Sequence, residues 1–132
     1  MSEPGGVMSV IVADDDPDIR TLVAMAVTRA GLELIDELSD GDSAWEAIQT
    51  FIPDLVVLDV SMPGKTGLEL ARLIRGRSRL EGIRVILLSA GVDDASRKAG
   101  IEAGANDYLT KPFSPRELAA TLSKVATEGA SA

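Results

Sequence analysis

The chain has 132 residues, with no cysteine and no histidine, so disulfides, thiolate metal sites and imidazole general bases are excluded. A net charge of −8 disfavours non-specific binding to nucleic acid or to an anionic membrane. Any chemistry must run on carboxylates, hydroxyls, Lys or Arg.

Residues 1–6 (MSEPGG) read as a flexible leader, residues 7–126 as one domain and residues 127–132 as a flexible tail. The N-terminus carries no basic segment followed by a long apolar stretch, so no signal peptide is expected. No apolar run approaches the roughly 20 residues that span a bilayer. A cytoplasmic protein is the default expectation. The initial Met and the soft GASA end suggest a stand-alone chain.

The first strand is expected over Val7–Ala13, a nearly continuous aliphatic run that ends in Asp14, Asp15 and Asp16. The first helix follows, with Asp16 to cap it, Pro17 at its first position and Gly31 to stop it. Between them Ile19, Leu22, Val23, Ala26, Val27 and Ala30 form one apolar stripe. Leu32–Leu38 alternates and is more polar, which suits an edge strand. A helix is expected near 42–51, with Trp45, Ile48 and Phe51 as packing residues.

Leu55–Leu58 is a fully aliphatic strand that runs into Asp59. A helix near 67–75 follows. Ile83–Leu88 runs into Ser89, and a helix near 93–103 carries Asp93 and Asp94 in its first turn and Gly104 as its stop. Asp107–Thr110 runs into Lys111. Ser114-Pro115-Arg116-Glu117 is a capping box with Pro at the first helical position, opening the last helix.

Five strand–helix alternations with buried strands imply an α/β fold with a parallel sheet and helices on both faces. The doubly wound order 2-1-3-4-5, flavodoxin-like, places strands 1 and 3 side by side at the switch point. Asp14, Asp15 and Asp59 then become neighbours at the carboxyl edge. Three carboxylates there repel strongly, by roughly 4 kcal/mol per pair at 4 Å and an effective dielectric of 20. They call for a counter-charge. Oxygen ligands select a hard cation, and Mg²⁺ suits better than Ca²⁺ because it keeps waters and bridges to phosphate. Mg²⁺ and Lys111 together balance the three negative charges.

The segments IVADDDPDIR, VVLDVSMPGKTG, LLSAG, AGANDYLTKPF and SPRELAATL stand in this order between residues 11 and 122. With them the chain resembles the receiver domain of two-component response regulators, in the single-domain form of a chemotaxis regulator. The resemblance implies that Asp59 accepts a phosphoryl group from a histidine kinase or a histidine phosphotransfer protein. It further implies that Asp14, Asp15, Asp59 and the backbone carbonyl of Ser61 hold the metal. Lys111 would bind phosphate, Ser89 would be the switch hydroxyl and Tyr108 the aromatic that changes rotamer with it. The Lys111–Pro112 bond would be cis. Output would pass to a downstream protein, through a monomer or a weak dimer using the face of helix 4, strand 5 and helix 5. Ser61 and Gly91 flank the site and would tune attack by water on the acyl phosphate.

Plainer readings stand beside these. Asp14 to Asp16 also suit a turn and a cap, Asp59 ordinary strand-end punctuation, Ser89 a strand end, Lys111 a solvated charge and Tyr108 plain packing. Arg72, Arg75, Arg77, Arg79 and Arg84 read as a solvated helix end, or as a docking patch for an acidic partner. A Mg²⁺-dependent aspartyl-phosphate phosphohydrolase would need an Asp where Ser61 stands. A pseudo-receiver would usually lack one of the acidic or Lys positions. A flavodoxin-like cofactor carrier would want a Ser/Thr-rich loop after the first strand.

Overall fold

The computed structural model describes residues 7–91 and 94–128. The expected leader, Asp93, expected in the first turn of the fourth helix, and residues 129–132 of the expected tail lie outside them. Five strands and five helices alternate: β1 Ser9–Ala13, α1 Pro17–Arg29, β2 Glu33–Leu38, α2 Gly41–Phe51, β3 Leu55–Asp59, α3 Gly67–Arg75, β4 Arg84–Ser89, α4 Asp94–Glu102, β5 Asp107–Thr110 and α5 Pro115–Thr127.

The helix ends follow from local chemistry. Asp16 is the N-cap of α1 and accepts from the Asp18 N–H. Asp40 does the same for α2 through the Ser43 N–H. Thr66 with Glu69, and Ser114 with Glu117, close reciprocal capping boxes on α3 and α5. Gly31 takes a φ of +78° just past α1, where a side chain would be strained.

The sheet is parallel throughout, in the order β2-β1-β3-β4-β5. Because strand side chains alternate in direction, each central strand feeds two separate cores. Val10, Val12, Leu55, Val57, Ile86 and Leu88 pack beneath α1 and α5. Ile11, Ala13, Val56, Leu58, Val85 and Leu87 face the other way, against α2 and α3. The residues of β3 are all buried, as expected of a strand covered on both faces, whereas β2 alternates exposed and half-buried at the edge. The predicted stripe of α1 is the inward one: Val23, Ala26 and Val27 are buried, and Ile19, Leu22 and Ala30 pack at its margin.

One packing expectation fails. Trp45 packs against the core, but Phe51 is 53% exposed. It is the last residue of α2, beyond Ala44, Ala47 and Ile48, which carry the buried face of the helix, and just before the chain turns through Ile52 in the left-handed region at φ 45°.

Candidate functional site

The strand order puts the ends of β1, β3, β4 and β5 along one edge, and the predicted residues meet there. Asp14 follows β1 and is fully buried. Its backbone and one carboxylate oxygen are held: its N–H donates to the Leu38 carbonyl at 3.1 Å, its Oδ1 accepts from the Asp16 N–H at 2.9 Å, and its carbonyl accepts from the Arg20 guanidinium at 2.6 Å. Asp59 ends β3 and is 4% exposed, with Oδ1 accepting from the Ser61 N–H at 3.2 Å. Asp15, by contrast, is exposed. Ser89 ends β4, and its Oγ accepts from the Gly91 N–H at 2.9 Å.

Lys111 follows β5, anchored by its own N–H to the Ser89 carbonyl at 2.7 Å. The Lys111–Pro112 bond is cis. The Lys111 Nζ lies 3.0 Å from Asp14 Oδ2 and 3.4 Å from Asp59 Oδ1. A cleft of about 390 Å³ opens above, lined by Asp15, Asp16, Asp59, Ser61, Ser89, Ala90 and Lys111. Tyr108 does not line it. Its ring is buried on the α2–α3 side, with its hydroxyl 3.5 Å from the Gly91 carbonyl.

Burial, and then the neighbouring Asp14 carboxylate, push the Asp59 carboxyl up to about 6 against the pull of Lys111. Burial pulls the Lys111 ammonium down, but its hydrogen bond to Asp14 and the charges of Asp59 and Asp14 outweigh that and hold it above its ordinary value. One ammonium thus shares two buried carboxylates, with a third at the rim. The cluster is short of positive charge.

The geometry fits a hard divalent cation. One carboxylate oxygen from each of Asp14, Asp15 and Asp59 falls within 4.8 Å of the others. Asp14 Oδ2 is buried, and its one partner among the described residues is the Lys111 ammonium at 3.0 Å, which it shares with Asp59. A buried anionic oxygen left this way is costly unless a cation completes it. Asp16 lines the cleft but spends its side chain on capping α1.

Some contributors to the site are not marked in the sequence. Arg20 holds the Asp14 carbonyl, and nothing in the α1 stripe marks it. The α2 start packs on the loop after β3: the Gly41 N–H donates to the Pro63 carbonyl at 2.8 Å, and a Cβ on Gly41 would collide with the Lys65 backbone. Two glycines, with Gly64 at φ +77° facing Asp42, therefore let α2 seat this loop. Thr66-x-x-Glu69 was readable as a capping box.

The arginine cluster divides: Arg72, Arg77 and Arg79 are exposed, as on a solvated helix end and loop, while Arg75 and Arg84 are half-buried. Arg75 donates to the carbonyls of Gly104, Glu81 and Ile83 and to Asn106 Oδ1. Arg84 donates to the Glu128 carbonyl, Arg79 to that of Gln49, and Arg77 stacks over Trp45 at 5.2 Å.

An acidic cleft with one lysine, at the switch point of a doubly wound parallel sheet, defines a flavodoxin-like domain. Residues 10–123 match the response regulator receiver domain family. The chain belongs to that family. It is 39% identical over 117 residues to the phosphate regulon transcriptional regulatory protein PhoB of Pseudomonas aeruginosa, a match covering 89% of this chain and 51% of that protein. The chain spans about half the length of the curated relatives it matches. Chemotaxis response regulator CheY4 of Vibrio cholerae superposes with a TM-score of 0.83 at 30% identity, over 90% of this chain and 98% of that one. The BeF3-activated receiver domain of DrrB, a Thermotoga maritima protein, does so with 0.81 at 31% identity, over 92% and 99%.

Proposed function

We propose that this chain is a phosphorylation-controlled signalling switch in which Asp59 accepts a phosphoryl group from a histidine kinase or a histidine phosphotransfer protein. The observation that carries the reading is the placement of Asp59: buried at the end of β3, 3.4 Å from Lys111 and beside Asp14 and Asp15.

A carboxylate oxygen of Asp59 attacks phosphorus, and the O–P bond forms as the donor's N–P bond breaks, the electron pair returning to the imidazole nitrogen. Lys111 receives one phosphoryl oxygen and the Ser89 hydroxyl another. Asp14, Asp15, Asp59 and the Ser61 carbonyl would hold Mg²⁺, which when bound offsets the negative charge of the incoming group. Ser61, rather than a second Asp, stands two residues after Asp59, which favours a switch over a hydrolase with a separate substrate.

The added phosphate brings new acceptors before Ser89 and Lys111. Ser89 then leaves the Gly91 N–H for the phosphoryl group, and the change passes through Gly91, whose carbonyl faces the Tyr108 hydroxyl, toward α4, β5 and α5. Output passes by protein contact from a cytoplasmic monomer or weak dimer using that face. The net charge of −8 supports this over direct contact with nucleic acid, and among the described residues no helix is long and apolar enough to cross a membrane.

Incubation with acetyl phosphate and Mg²⁺, read by intact mass, is expected to add one phosphoryl group to the wild type and none to Asp59→Ala. A wild type that stays unmodified, or a variant modified equally, removes the reading.

A further inference from the structure

The chain has a single tyrosine, and Tyr108 is 3% exposed although its strand ends at a solvent-facing edge. What holds the ring inward is specific. Gly100, inside α4, faces it: a Cβ there would lie 2.8 Å from Tyr108 Cδ2 and 3.2 Å from Leu87 Cδ1. The ring therefore occupies space that any other residue at position 100 would need. Glycine inside a helix is unfavourable relative to alanine, so a packing reason for this one is expected, and the ring supplies it.

Arg97 lies three residues earlier, on the same side of the helix. Its guanidinium carbon sits 6.0 Å from the ring centroid, near the limit of a cation–π contact. Its Nη1 donates to the Tyr108 carbonyl at 3.2 Å, and its Nη2 is 3.9 Å from Asp107 Oδ1. Arg97 thus grips β5 on either side of the tyrosine Cα and covers the ring between. At the far end the tyrosine hydroxyl reaches the Gly91 carbonyl at 3.5 Å, and the Gly91 N–H donates to Ser89 Oγ at 2.9 Å.

We propose that Gly100 and Arg97 form a seat that keeps Tyr108 inward before any phosphoryl transfer, with Arg97 as the positioning residue that sets the resting population. For its consequence this rests on the switch reading. A state already dominant at rest cannot be populated much further by a signal. Phosphorylation of this chain then acts mainly through the Ser89–Gly91 end of the linkage, and the ring itself moves little. Loosening the seat would return the ring to the switch.

Because there is one tyrosine, 3-fluorotyrosine labelling of the full chain gives one ¹⁹F signal, whose broadening by a soluble paramagnetic agent reports ring exposure. In EDTA the wild-type ring is expected to be protected at least tenfold relative to the urea-unfolded chain. Arg97→Ala is expected to lose at least threefold of that protection and Arg97→Lys to regain part of it. Gly100→Ala is expected to expel the ring. Trp45 emission and circular dichroism check that each variant folds, and if Gly100→Ala does not, the two Arg97 variants decide. A wild-type ring as exposed as in urea, or an Arg97→Ala ring protected as well as the wild type, overturns the proposal. Phosphoryl uptake by intact mass on the same samples is a separate readout. A wild type that takes no phosphoryl group defeats the switch reading, while the EDTA measurements still judge the seat.

Discussion

The two edges of the sheet treat charge in opposite ways. At the amino edge Arg75 is half-buried, yet its guanidinium is spent on three backbone carbonyls and an amide oxygen, tying α3 to the starts of β4 and β5. At the carboxyl edge Asp14 and Asp59 are more deeply buried and share one ammonium. One edge closes its hydrogen bonds and holds the fold. The other leaves anionic oxygens short of partners, which costs stability and fits the proposed role of this edge as a site for a cation and a phosphoryl group.

The largest test of that contrast is Arg75→Ala. It strips three carbonyls and an amide oxygen of a charged donor, two of these bonds being part-buried and two exposed, and a loss of about 2–3 kcal/mol is expected in urea unfolding. Burial holds the guanidinium below its ordinary value against the pull of Glu81, and its hydrogen bonds are the main interaction lost. A change under about 1 kcal/mol would mean that the clasp is incidental.

A substitution at the other edge should have the opposite sign. Asp59→Asn removes a buried anion from a crowded cluster and is expected to stabilise the metal-free protein at pH 7 by about 1–2 kcal/mol. The pH dependence follows. The folded carboxyl, raised to about 6 from 3.8, binds its proton more tightly than the unfolded one. Between those values the folded state holds more proton, so Asp59 makes stability fall as pH rises through that window. In EDTA, Asp59→Asn should lack that part of the slope. Millimolar Mg²⁺ should recover stability in the wild type, by about 1.4 kcal/mol at ten times Kd. Equal melting temperatures in EDTA and Mg²⁺ would count against the cluster as a cation site.

The smallest effect returns to the amino edge. Ile52 ends α2 at φ 45°, a left-handed conformation that a β-branched residue adopts at a cost, and it is 42% exposed. Ile52→Gly should stabilise by about 0.5–1 kcal/mol in urea unfolding. It should leave phosphoryl uptake at Asp59 unchanged, since it lies at the opposite end of β3. A loss of uptake would show that the two edges are coupled.

Much of this was readable along the chain because it depends on near neighbours. Asp16-Pro17, Ser114-Pro115 with Glu117, and the α1 stripe state their helices within a turn or two. The aliphatic runs of β3 and β4 state that both their faces are covered. Asp14, Asp15, Asp59, Ser89 and Lys111 could be gathered by combining strand ends with a strand order. Other features resisted because their partners lie far off in sequence. The acceptors of Arg75 are six to thirty-one residues away. The glycine at position 41 acquires its meaning from the loop at residues 63–65.

The sequence alone determined the alternation of elements, their caps, the buried strands and the inventory of oxygen ligands with one lysine, since local sterics and hydrophobic period set these. Only the tertiary structure decided that Asp14 is sealed while Asp15 is open, that Arg75, Arg79 and Arg84 bind backbone carbonyls, and that Tyr108 rests inward against Gly100. Those outcomes depend on which faces meet once the sheet has closed. Spacing along one strand cannot express the volume left by a glycine on a helix packed across it.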